Sequence, residues 1–172
     1  MHDAMPYDQR LDVARKFQQY TAPVQAKGVE DTAFYRYNVL LSLNEVGGDP
    51  ERFGHTVDDF HAANVRRQTC WPLEMNATAT HDTKRGEDAR ARLNVLSEIP
   101  GEWREAVTAW MRLNRSCRLA VSRQPAPDRN DEYHFYQALL ATWPTEPAHA
   151  PVPVATDTAL VHRLRDYMTK AI

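Results

Sequence analysis

Apolar residues recur at three- and four-residue spacing along almost all of this 172-residue chain, and a single short stretch, residues 76–80, reads as a strand. That pattern predicts a mainly α fold of about seven helices with one short strand. A lone strand carries backbone N–H and C=O groups with no ladder to join. Its neighbours then belong to polypeptide outside this chain, or the segment is an extended stretch in an otherwise helical domain. Strand exchange between two copies would also satisfy such an edge, so a homo-oligomer is expected.

Residues 9–20 place Leu11, Ala14 and Phe17 on one helical face. A second helix is predicted over 29–43, with Phe34, Tyr37 and Leu41 in register and Glu30 and Asp31 in its first turn, where the helix dipole favours acid. Gly47, Gly48, Asp49 and Pro50 stop it. Thr56 is the expected N-cap of a helix reaching residue 68, with Asp58 and Asp59 in its first turn and Trp71 and Pro72 as breakers. After the strand, residues 87–97 turn Ala89, Leu93 and Leu96 inward. Pro100 takes the favoured first position of a helix carrying Trp103, Val107 and Trp110 or Met111. Residues 122–131 read as a polar loop, and Asn130 or Asp131 caps a helix through Tyr133, Tyr136, Leu140 and Trp143. A second loop, 144–153, holds four prolines, and Asp157 opens a last helix with Leu160, Leu164, Tyr167 and Met168.

The formal net charge of −2 suggests no nucleic-acid or anionic-membrane partner. No apolar run approaches the ~20 residues of a membrane helix, and the N-terminus has no secretory pattern. Two cysteines, Cys70 and Cys117, are too few for a disulfide scaffold. Both read as half-buried thiols in a reducing cytoplasm.

His81 and Asp82 follow the strand at once, in a polar turn leading to a helix. At a strand end of a parallel α/β barrel, such side chains enter an active site. Lys84 and Arg85 beside them would favour the ionised carboxylate. As a bare dipeptide, His-Asp is read equally well as a cap for the next helix. Asp58 and His61, three apart near His55, lack a third residue to close a metal site. No metal and no cofactor is expected.

Two longer strings carry more. THDTKRGEDARAR (80–92) and QAKGVEDTAFYRYNVLLSLNEVGGD (25–49), with Trp71-Pro72 between them, resemble the maltooligosyltrehalose synthases of the α-amylase superfamily. The likeness is dense over 17–113, thinner over 130–143 and weak at both ends. It implies a cytoplasmic enzyme acting on maltooligosaccharides, turning the reducing-end α-1,4 linkage into an α,α-1,1 linkage by retaining intramolecular transglycosylation. It also implies part of a (β/α)8 barrel: 1–72 as a helical insertion, 73–115 as the last barrel strand and following helices, and 116–172 as a helical C-terminal segment, or all three as one compact unit. Asp82 matches the carboxylate that supports the transition state, and His81 the histidine that binds the same sugar. No stretch matches the nucleophile or the general acid, so the chain alone is expected to be inactive.

Lys27, Glu30 and Arg85 are candidates for gripping substrate hydroxyls, and Tyr35 for stacking on a glucose. Equally, Glu30 and Asp31 are first-turn acids and Tyr35 a half-buried amphipathic residue. Trp71 is a candidate surface platform, whereas Trp103 and Trp110 have the spacing of a packed stripe. A stand-alone helical interaction domain, with Asp82 only a cap, remains an alternative, as does another maltodextrin-acting transferase or hydrolase.

Overall fold

The computed structural model describes residues 6–144 and 158–172. Residues 145–153 of the second proline loop and Asp157, the expected helix opener, lie outside them. The architecture is mainly helical with one short antiparallel strand pair, in line with the expected fold class. Helix α1 (Tyr7–Gln25) runs on through a π-helical stretch, Ala26–Ala33, into the short α2 (Phe34–Arg36). A 3-10 turn, Leu41–Leu43, precedes α3 (Val57–Cys70), α4 (Glu87–Val95) and α5 (Pro100–Leu113). The hairpin β1 (Leu119–Val121) and β2 (Gln124–Ala126) leads to α6 (Arg129–Thr142), and α7 (Thr158–Ala171) follows.

The core lies where the 3-10 turn meets α4 and α6. Leu40, Leu41, Leu93, Leu96 and Ala141 are buried together, with Trp103 and Leu140 against them. Helix α6 is the spine, and its buried polar residues fasten irregular segments to it. Gln137, fully buried, accepts from Leu41 N at 2.9 Å and donates to Asn38 O at 2.8 Å. Glu132 pairs with Arg118 beside the hairpin, and His134 meets Tyr167 of α7 at 2.7 Å. Each bond satisfies a polar group that would otherwise be desolvated unpaired.

Several expectations need correcting. Residues 76–80 form no strand. With no ladder there, there is no orphan strand edge for a second copy to pair with. The strands lie in the predicted polar loop instead: Ser122 and Arg123 take φ of 51° and 69°, the left-handed pair that closes a two-residue hairpin. The predicted helix 29–43 ends at Arg36. Asn44 donates to the carbonyls of Phe34 and Tyr37 at 2.8 and 2.7 Å, and Gln137 captures the extended backbone beyond, so tertiary hydrogen bonds override the helical period. The cap of α6 is Asp128, accepting from Asp131 N at 2.8 Å. Cys70 and Cys117 are exposed, Cys70 because it ends a helix that buries none of its residues. The Thr56 cap is present as a full capping box with Asp59.

Candidate active site

The π-helical stretch places the first group of candidate residues. Gly28 weakens the α-helical register, and Thr32 donates its hydroxyl to Lys27 O, five residues back, at 2.7 Å. Such π segments are rare and recur at functional sites. Lys27 and Asp31 face each other across this widened turn at 2.6 Å. Asp31 also accepts from Lys84 Nζ at 3.0 Å. Lys84 lies 5.6 Å from the centre of the Tyr35 ring, a cation–π contact.

Asp31 is thus a bridge between two lysines 57 positions apart in sequence. Hydrogen bonds from Lys27 and then Lys84 hold its carboxyl below the usual range. Burial opposes the charge on Lys84, but the bond to Asp31 carries that ammonium above its ordinary pKa. Glu30, half-buried, adds a smaller attraction to Lys84.

His81 and Asp82 sit on a turn closed by threonines. Thr83 donates its hydroxyl to Thr80 O at 2.8 Å, and Asp82 N reaches Thr80 Oγ1 at 3.3 Å. This is the polar side-chain chemistry that favours turns. The two side chains stand in solvent, 90% and 71% exposed, with His81 Nε2 3.4 Å from Asp82 Oδ2. The helix that follows has Gly86 at its N-cap, so Asp82 caps nothing.

Arg85 and Lys84 both turn away from Asp82. Arg85 donates to Leu41 O at 3.1 Å and to Tyr167 Oη at 2.8 Å. Tyr167 in turn meets His134 Nε2. With the tyrosine oxygen accepting from Arg85, its proton is available to His134 Nε2. Burial first, then the nearby Arg85 charge, depress His134 to about 4. Burial raises Tyr167.

Lys27, Asp31, Lys84 and Tyr35 are therefore gathered in one cluster, while Arg85 joins a half-buried chain of side chains with Tyr167 and His134. Trp71 is 68% exposed on the link between α3 and α4. Glu45, Tyr167 and His134 are contributors that sequence spacing did not flag. Among the described residues no group of three or more His, Cys, Asp or Glu is arranged to hold a metal ion, and no helix is long and apolar enough to cross a membrane.

No protein-family model matches the chain. A Mycobacterium tuberculosis protein described as a putative maltooligosyl trehalose synthase is 40% identical over 159 residues, 92% of this chain and 19% of that protein. A crystal structure of a Sulfolobus tokodaii hypothetical maltooligosyl trehalose synthase superposes with a TM-score of 0.76 at 36% identity, covering 95% of this chain and 20% of that one. The maltooligosyltrehalose synthase of Arthrobacter ramosus superposes with a TM-score of 0.71 at 39% identity, over 92% of this chain and 18% of its own. In fold and sequence the chain is similar to a helical segment of a class of much larger proteins. Within that class the chain is homologous to the maltooligosyl trehalose synthases, and it spans about a fifth of the length of the relatives it matches.

Proposed function

We propose that this chain forms one wall of the active site of a maltooligosyl trehalose synthase. The observation that carries the reading is the solvent-facing His81–Asp82 pair on its threonine turn, in a chain 40% identical to such a protein. The reaction is an intramolecular transglycosylation on a maltooligosaccharide. A carboxylate nucleophile displaces the reducing-end glucose while a carboxylic acid protonates the leaving oxygen. The freed glucose turns and attacks the glycosyl enzyme through its anomeric hydroxyl, giving an α,α-1,1 linkage with net retention. Asp82 faces the positive charge that develops in the sugar ring, and His81 hydrogen-bonds hydroxyls of that ring. Lys27, Glu30, Arg85 and Tyr35 serve the reducing-end sugar, Lys27 directly and Arg85 through the backbone it holds.

The nucleophile and the general acid belong to polypeptide outside this chain, which is inactive alone. The surface supports that reading. Helices α1 and α3 bury none of their residues, and Leu73 and Met75 are 93% and 96% exposed. Helices of this kind normally rest on an apolar partner surface, which the remaining part of a barrel supplies. The protein acts in the cytoplasm, as a segment of a (β/α)8 enzyme.

The test is Asp82→Asn in the full-length protein bearing this segment, with maltopentaose as substrate and product analysis for a non-reducing disaccharide end. Turnover should fall by about 10² to 10³ with folding intact, the size seen when one transition-state electrostatic contact is removed. Unchanged turnover would sink the assignment. A wild-type protein that only hydrolyses maltopentaose would favour a related maltodextrin hydrolase.

A further inference from the structure

One carboxylate fixes the backbone that leaves the His81–Asp82 turn. Glu45 Oε1 accepts from Lys84 N at 2.7 Å and from Val46 N at 2.9 Å, and its Oε2 accepts from Arg85 N at 3.2 Å. Arg90 of α4 lies 3.7 Å from the same Oε2. Two successive amides, beginning two residues after Asp82, are thus held by a side chain about 40 positions earlier in the chain.

The base of that side chain is itself rigid. It follows the 3-10 turn, where Leu41 is fully buried and Gln137 holds Leu41 N. Asn44, 1% exposed, ties the same segment to Phe34 and Tyr37. Arg85 returns a bond to Leu41 O, so the segments on either side of Glu45 are locked to each other. The side chain of Glu45 is only 15% exposed. Its bonds are charge-assisted, the strong class.

We infer that Glu45 is a positioning residue for Asp82, setting the depth and direction at which that carboxylate meets the sugar ring. The inference rests on the reading of Asp82 given above. A displacement of about 1 Å in such a group costs on the order of 10²-fold in rate. Glu45 acts on the orientation of a transition-state contact, so its loss appears in kcat and leaves KM nearly unchanged.

The experiment is a double-mutant cycle in the full-length protein bearing this segment, with Glu45→Gln and Asp82→Asn singly and together. Glu45→Gln keeps one acceptor oxygen and the side-chain volume, and circular dichroism checks that it folds. The expected result is a kcat about tenfold lower for Glu45→Gln with KM within about twofold, and almost no further loss when the same change is made in Asp82→Asn. Glu45→Asp, which restores the carboxylate, should recover part of the rate. Equal losses in both backgrounds would mean a general structural role and overturn the inference, as would an unchanged kcat in Glu45→Gln. An Asp82→Asn protein as active as wild type would remove the underlying assignment instead, and the positioning role with it.

Discussion

Acidification from pH 7 to pH 5 should destabilise this chain through one buried histidine. His134 is 1% exposed, has its Nε2 2.7 Å from the Tyr167 hydroxyl and lies near the Arg85 charge. In the folded chain it takes up a proton only near pH 4, against 6.5 for the free side chain. Its folded pKa is depressed, so between these values the unfolded chain binds more protons than the folded one. Stability is then full above about pH 6.5 and is lost as pH falls toward 4. From the two pKa values, the loss between pH 7 and pH 5 is about 2 kcal/mol. The lowered carboxylates Asp31, Asp59 and Glu87 lose their contributions at lower pH, below the ordinary carboxylate values of 3.8 to 4.5. The assay is urea unfolding of the 172-residue chain at both pH values, for wild type and His134→Gln. Glutamine keeps an acceptor for Tyr167 but cannot titrate, so its change with pH should be smaller by about 2 kcal/mol. Identical pH responses in the two proteins would refute the assignment of the slope to His134.

Two further stability predictions follow from the core. Gln137→Leu leaves Leu41 N and Asn38 O buried and unpaired, and should cost about 2 kcal/mol or more by urea unfolding. Leu93→Ala opens a cavity between Leu40, Leu41, Leu96 and Ala141, and should cost about 2 to 5 kcal/mol in the same measurement.

Much of the helical frame was legible from local signals. The capping box at Thr56, Pro100 at the start of α5 and the apolar register of Leu93 and Leu96 act within a few residues, and each element formed where they stand. The failures have a common physical origin. Residues 29–43 carry a helical period, yet the backbone past Arg36 is held open by Gln137 and Asn44, whose partners are chosen by tertiary packing. Helix α6 was expected to run through Tyr133, Tyr136, Leu140 and Trp143; Tyr136 is buried, but so are the polar Glu132, His134 and Gln137. Polar residues in those places look like surface in a sequence, and they become core only because irregular segments bring carbonyls, amides and a tyrosine to meet them. The hairpin escaped because Ser122-Arg123 lacks the Asn-Gly signature of its turn.

The candidate site divides along the same line. The exposed turn that carries His81 and Asp82 was readable because the threonines that make it lie beside them in sequence. The roles of Lys84 and Arg85 were not readable, since adjacency to Asp82 suggested charge support for it. The structure sends Lys84 to Asp31 and Tyr35 and Arg85 to Leu41 and Tyr167. Two cations next to a carboxylate in sequence therefore do not neutralise it; they anchor the strip of backbone that carries it. The Asp82 carboxylate is left facing outward, 71% exposed, with His81 Nε2 3.4 Å away. The Glu45 cycle measures how much of that hold on the backbone reaches Asp82.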